Sequence, residues 1–499
     1  MVKPMSSSSQ TIAKNVGVLM TSQFVTWGLT LLLTIVLPRK LGPAQVGQLY
    51  LAISLWAIVT MLCRFGTEVY ITKAIAQEPA RAPRLLAATL LARAFTFVIG
   101  ALVVGLYVLS IGYPPAVVGV IAIIGMAGLL ELMAGAFIGA LQGLERMEYI
   151  SLAMVANKLV YTVLALAALL LFDASVFWVA GLYALGALAL LVVLAWGYRR
   201  QHRIPRPRVH DVAPLLKASV PFLLASLVVV FYNEVDKQII AVLIDERAVG
   251  YYTTAATLYS TVMFIPVVLT TALFPLMARS FKDAPDALRR LNQKSFNIMF
   301  VVGIPVSLGL MAIAPALIRL IYGPAFAPAE VILSVMGVVV IFVYLNILIA
   351  QILVSIEQVN RWTVVLIIAT IATIVLDILL IPWSQRVFNN GALTGAITFL
   401  ITEAGQTIVG IFLIPRGTFS WLNVTTALRA LFAGLMMTGV CWLVRDLFIL
   451  VPVILGAVTY VSLILVLRVI QREDLQLMRQ LADQVVERLR SYRGQVSIT

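Results

Sequence analysis

The chain has 499 residues, of which 62% are hydrophobic and 12% charged, and its formal net charge is +14. Soluble domains carry roughly 25% charged and about half apolar residues, so this composition excludes a compact water-soluble fold and specifies an all-α polytopic membrane protein. The basic excess does not indicate nucleic acid, because Lys and Arg gather in short loops between apolar runs, as membrane orientation requires.

The N-terminal stretch MVKPMSSSSQTIAK is polar and lacks the layout of a cleaved secretory signal. A spanning helix needs about 20 mostly apolar residues. Fourteen runs qualify, at approximately 15–37, 46–72, 85–110, 116–141, 149–172, 175–197, 214–243, 248–278, 291–316, 329–354, 362–382, 391–414, 427–448 and 452–468. Only ILVP separates the last two. An even number of spans places both termini on one side. Of the 36 basic residues, 26 fall in loops or the tail on that side, six on the opposite side and four inside the spans. The skew predicts an inner (cytoplasmic) membrane protein with both termini cytoplasmic.

The longest loop, YRRQHRIPRPRVHDVAPLLK, is cationic and proline-bearing and follows the sixth span. It divides the chain into an N-terminal six-helix lobe (1–197), a basic linker (198–213) and a second six-helix lobe (214–414). Two further spans (415–470) and an amphipathic cytoplasmic tail (471–499) follow. At an offset of 203 residues Lys14 falls on Lys217, Val46-Gly47 on Val249-Gly250, and Gly100 on Gly303. Two lobes starting on the same side form a parallel repeat, which suggests a cavity between them and alternating access by rocking. Gly28, Gly66, Gly100 and Gly105 loosen first-lobe helices, and Pro221, Pro266, Pro275 and Pro305 are expected to interrupt those of the second.

Cys63 and Cys441 lie far apart in apolar segments, and His202 and His210 share one loop, so no disulfide framework, metal site or cofactor is expected. Ionisable residues at bilayer depth are functional candidates by default. Counting along helices at 1.5 Å per residue puts Arg64, Arg93 and Lys158 all roughly 13 Å inside the cytoplasmic boundary. Gln23 and Glu131 have similar depth. Such a cationic patch suits an anionic substrate group, most naturally phosphate or pyrophosphate, with Arg supplying bidentate contacts. The structural alternative pairs Arg64 with Glu68 and another base with Glu131. In NEVDK of the seventh span, Glu234 and Lys237 are three apart and can pair on one face, while Asp236 points elsewhere. Glu131, Asp236, Asp377 and Glu403 are candidates for proton or sodium coupling or gating, with Gln406 placed to orient Glu403. A buried ion-pair network pinning the seventh span is the other reading of its charges.

Several stretches together resemble a known family: LGPAQVGQLYLAISLWAIVTMLCRFG, NEVDKQIIAVLIDERAVGYYTTAATLY, APALIRLIYGPAFAPAE and LDILLIPWSQRVFNNGALTGAITFLITEAGQ. They are similar to the Wzx-type polysaccharide transporters of the multidrug/oligosaccharidyl-lipid/polysaccharide exporter superfamily. The resemblance implies a V-shaped pair of helical bundles that moves an undecaprenyl-pyrophosphate-linked oligosaccharide from the cytoplasmic to the outer leaflet for surface polysaccharide export. It also implies a cationic central cavity, for which Arg64, Arg93 and Lys158 are the natural candidates, and an acidic residue in the seventh span, matched by Asp236. Membrane lipids and the polymerase and glycosyltransferases of the same pathway are the implied partners. A lipid II flippase is the alternative, and an ion-coupled multidrug exporter a further one. A polymerase or ligase is disfavoured because the outer loops are about ten residues or shorter and hold no histidine, no GxSxG-like motif and no metal-ligand cluster. A phosphate-binding loop is also missing, which excludes a nucleotide-driven pump within this chain, and no enzymatic activity is expected.

Overall fold

The computed structural model describes residues 5–283 and 285–469, with side chains from residue 28 onward except at 221, 224–226, 272, 275 and 278–285. The amphipathic tail expected at 471–499 lies outside the described residues. Among these residues every regular element is helical: α1 (Met5–Arg64), α2 (Thr67–Gln77), α3 (Ala82–Ile111), α4 (Pro115–Gly143), α5 (Met147–Leu171), α6 (Val176–Arg199), α7 (Val212–Leu243), α8 (Glu246–Ser260), α9 (Phe264–Asp283), α10 (Pro285–Ile321), α11 (Pro328–Ser355), α12 (Val359–Phe388), α13 (Ala392–Leu413), α14 (Trp421–Leu443) and α15 (Leu450–Val466). Eleven described helical segments are long and apolar enough to cross a bilayer, and α15 is a shorter apolar helix. Helix α3 shows why lipid must be the solvent: Phe95, Val98, Leu102, Leu106 and Leu109 are all exposed.

The expected spans map onto these helices with two breaks. Helix α1 holds the first two spans and turns between them at Gly42, where φ is +72° and Pro43 follows. The second span then breaks at Phe65 and Gly66, so that α2 completes it. The eighth span breaks at 261–263, dividing α8 from α9. Between the last two spans the chain turns at 444–449, at the charged Arg445-Asp446 rather than at Pro452. Pro452 sits in the first turn of α15, where an absent N–H costs no helical bond.

The prolines interrupt less than expected. Helix α10 runs through Pro305 and Pro315 and α12 through Pro382. A proline inside a helix leaves the carbonyl four residues earlier without its donor. Pro266 sits in the first turn of α9, just past the break at 261–263, and there the Tyr344 hydroxyl of α11 donates to Val262 O at 2.7 Å. For Pro305 the carbonyl left open is Val301, and Tyr460 of α15 donates to it at 2.8 Å. Tyr460 thus stands in for a missing amide, and Tyr344 ties down a carbonyl at a helix break, each across a helix–helix contact. Tyr344→Phe and Tyr460→Phe are each expected to cost about 1 kcal/mol, read as a lower unfolding midpoint of the purified protein.

The chain divides into two compact units, Met1–Gly250 and Tyr251–Thr499. The first takes in α7, which packs on α1, α2 and α3. Its linker end is closed by a buried cluster including Ile71, Ile75, Leu86, Phe137, Leu141 and Tyr198. Here Arg84 donates to both Asp211 oxygens, at 2.9 and 2.6 Å, and His210 Nε2 lies 3.0 Å from the same carboxylate. The hydrogen bond from Arg84 holds the Asp211 carboxyl below the usual carboxylate range. A carboxyl lowered in this way contributes stability above its unfolded value and loses it as pH falls through the folded one. Protease nicking in the 198–211 linker should therefore rise below about pH 4, and Asp211→Asn should raise it already at neutral pH. In the second unit α11 packs on α10 and α13, and α14 packs on α10 and α15.

Candidate functional site

Within the first unit α7 is tied to its neighbours at two levels. Gln238 donates to Leu51 O and Ser54 Oγ of α1. Further along, Gly66 lies against the α7 backbone: a Cβ there would meet Ser219 O and Leu223 N, both at 2.6 Å. With φ at +68°, glycine at 66 serves both the turn and the close approach. Between these ties the helices part around a cavity of about 320 Å³. Its polar wall comprises Thr60 and Arg64 of α1, Glu131 of α4, Tyr183 of α6, and Asn233 and Glu234 of α7.

The break in the second span positions Arg64. A helix end at bilayer depth leaves carbonyls without amide partners, and no water is available to satisfy them. Here each of the last carbonyls finds one. Phe65 N donates to Leu62 O at 3.1 Å, Thr96 Oγ1 to Cys63 O at 2.9 Å, and Thr67 Oγ1 to Arg64 O at 2.6 Å. The Arg64 backbone is therefore fixed while its guanidinium lies on the cavity wall. Its Nε is buried with no hydrogen-bond partner among the described residues.

Arg93 is placed quite differently. It is fully buried, with Nη1 donating to Leu132 O at 2.6 Å and Nε and Nη2 both to Thr67 Oγ1 at 3.2 Å. Its Nη2 also lies 3.6 Å from Glu68 Oε2. The carboxylate that sequence spacing offers to Arg64 thus pairs with Arg93 instead, and Arg93 does not reach the cavity. It clamps the break from behind. Gly135 makes room for this pair, since a Cβ there would lie 2.8 Å from both Arg93 Nη1 and Glu68 Oε2.

Lys158 of α5 lies within electrostatic reach of Glu131, as does Arg64. Glu131 Oε1 accepts a hydrogen bond from Tyr183 at 2.9 Å. Both act on that carboxylate at a distance, and Lys158 is not among the cavity-lining residues. On α7, Lys237 Nζ meets Glu234 Oε2 at 2.6 Å, as the spacing predicts, which neutralises that pair. The charged residues on the wall itself, Arg64, Glu131 and Glu234, sum to −1, and Lys158 and Lys237, which are not among the lining residues, bring the total to +1.

The other candidates are not gathered here. Gln23 falls in α1 among residues whose side chains lie outside those described. Asp236 is buried and is not among the cavity-lining residues. Asp377 of α12 and Glu403 of α13 are buried in the second unit. Gln406 does orient Glu403, donating to its Oε1 at 3.2 Å, and Asn346 Nδ2 donates to Oε2 at 2.7 Å. Among the described residues no three His, Cys, Asp or Glu side chains gather to hold a metal ion. Sequence reasoning missed Tyr183, Thr67 and Thr96. A signal for Thr67 was available in RFGTE, where it follows a glycine two residues past an intramembrane arginine.

Comparison with known proteins supplies the family. A model described as polysaccharide biosynthesis protein matches residues 12–281, and one described as MatE matches 221–379. The chain is 20% identical over 288 residues to the probable low-salt glycan biosynthesis flippase Agl15 of Haloferax volcanii, covering 55% of this chain. The match spans 59% of that relative's length. In fold, the chain is similar to the lipid II flippase MurJ in an inward closed conformation, with TM-score 0.69 and 14% identity over 89% of this chain and 97% of that one. A multidrug resistance MATE transporter in an inward-facing conformation gives TM-score 0.61 and 13% identity over 78% and 97% of the two chains. More than half of the chain falls under the first of these models, on a fold shared with two transporters, and it belongs to the polysaccharide biosynthesis protein family of the multidrug/oligosaccharidyl-lipid/polysaccharide exporter superfamily.

Proposed function

We propose that the protein is a flippase that carries a polyprenyl-pyrophosphate-linked oligosaccharide from the cytoplasmic to the outer leaflet for polysaccharide export. The observation that carries this reading is Arg64: its backbone is fixed at the lip of a helix break, and its side chain lies on a cavity wall without a carboxylate at pairing distance among the described residues. A charge kept unpaired at membrane depth is costly unless it meets a partner, and the partner that suits a guanidinium fork is an oxyanion. Lys158, outside the cavity lining, also acts on Glu131 and supplies the second positive charge. The pyrophosphate enters the cavity while the polyprenyl tail stays in lipid. The glycan flippase to which the sequence is similar supports a glycan over a drug or lipid II as cargo.

Both termini are cytoplasmic in this reading, as the distribution of Lys and Arg favours, and rocking of two lobes alternates access. Asp236, Asp377 and Glu403, acids buried outside the cavity wall, are the candidates for coupling to a proton or sodium gradient. Reconstitution into liposomes containing a fluorescent undecaprenyl-pyrophosphate-linked oligosaccharide tests the whole. Protein-dependent arrival of the label in the opposite leaflet, accelerated by an imposed proton or sodium gradient, is the expected result. Failure to move the label while a cationic drug is exported would overturn the reading.

A further inference from the structure

The cavity has a second polar face that anion binding leaves unused. Asn233 and Glu234 project from α7 onto its wall, and both are held in place by their own helix. Asn233 Nδ2 donates to Val229 O, one turn earlier, at 2.7 Å. This fixes the amide plane and leaves Oδ1 and the second N–H without a protein partner among the described residues. Glu234 gives one carboxylate oxygen, Oε2, to Lys237, which leaves Oε1 as an acceptor.

The ion pair has a further effect. An unpaired carboxylate would repel a phosphate-bearing cargo, whereas a carboxylate neutralised by Lys237 accepts hydrogen bonds without adding net charge to the chamber. A drug cation would instead select an unpaired acid. A lipid chain would need no amide. Rigid acceptors and an amide donor side by side suit a ligand whose every group both donates and accepts, which describes sugar hydroxyls. The two aromatic rings at the cavity, Trp56 and Tyr183, are already packed on other rings, Tyr183 edge-on to Tyr161 with centroids 5.2 Å apart. Trp56 is itself stacked on Phe97, with centroids 5.3 Å apart, and its Nε1 donates to Ile121 O at 2.7 Å.

We infer that Asn233 and Glu234 are the glycan-reading subsite of the cavity, hydrogen-bonding hydroxyls of the first sugars while Arg64 holds the phosphate. The inference rests on the flippase reading and assigns its specificity to α7.

The test is equilibrium binding to the full-length protein in lipid nanodiscs, using two probes. One is undecaprenyl pyrophosphate; the other is the undecaprenyl-pyrophosphate-linked oligosaccharide extracted from the host's own flippase-deficient membranes. Asn233→Leu, near in volume and unable to hydrogen-bond, should weaken the sugar-bearing lipid about tenfold and leave the bare lipid unchanged. The double substitution Glu234→Leu with Lys237→Met removes the pair without changing net charge and should do the same. Arg64→Gln should weaken both probes. Equal loss for both probes in the α7 variants, or no loss for either, with Arg64→Gln still weakening both, overturns the sugar subsite and leaves the flippase reading standing. If Arg64→Gln affects neither probe, the anion site itself falls, and this inference with it.

Discussion

Arg64→Gln is expected to abolish export while leaving the protein folded. The guanidinium makes no ion pair among the described residues, and the bonds that secure the helix break use the Arg64 carbonyl rather than its side chain. Removing the charge therefore strands no partner at pairing distance, and the change in stability should stay within about 1 kcal/mol. A charge-assisted contact to a desolvated phosphate is worth roughly 2–5 kcal/mol, a loss of at least about thirtyfold in cargo affinity. Arg64→Lys keeps the charge and loses the fork, so it should fall between. Lys158→Gln should be milder than Arg64→Gln because Lys158 is not among the residues that line the cavity. Surface polysaccharide in a complemented flippase-deficient strain, normalised to membrane protein level, reads each effect. Undiminished polysaccharide with Arg64→Gln would remove the anion site.

Arg93→Leu should give the same phenotype for the opposite reason. It takes one donor each from the Leu132 carbonyl and the Thr67 hydroxyl and leaves the partly buried Glu68 carboxylate without its cation. Breaking a buried pair by removing one member costs roughly 3–5 kcal/mol, enough to unfold many domains. The expected sign is a large fall in the unfolding midpoint and in the amount of folded protein in the membrane. Adding Glu68→Gln to Arg93→Leu should recover part of that loss, because the stranded carboxylate goes with its partner. A stable Arg93→Leu protein that is nonetheless inactive would mean that Arg93 touches cargo.

The contrast between these two arginines marks where sequence reading stops. Spacing along a helix gives depth, and depth placed Arg64, Arg93 and Lys158 at one level. It does not give the direction in which a side chain leaves an irregular helix. The break at Gly66 turned Glu68 toward Arg93 and left Arg64 on the cavity wall, so two residues alike on paper took opposite roles. Local relations were legible: Glu234 pairs with Lys237, and Gln406 orients Glu403, because three-residue spacing places side chains on one face. The spans were legible too, since apolar length is set by bilayer thickness. Contacts between distant spans were not. Nothing near Pro266 or Pro305 announces Tyr344 or Tyr460, and nothing near Glu131 announces Tyr183. Of the four glycines expected to loosen the first lobe, Gly66 sits at a break and Gly100 gives close approach to Val59 and Cys63, whereas Gly28 and Gly105 face open space.

At the kink in the second span the carbonyls of Leu62, Cys63 and Arg64 are all taken by protein groups. Threonine hydroxyls and a backbone amide take the carbonyls that the turn exposes, so neither an ion nor a bound molecule has to arrive for the bend to exist. A recognition element mounted on such a bend is already in its working geometry when the chamber is vacant. Cargo capture then spends little on ordering the protein, and the freedom that transport requires must come from elsewhere in the bundle.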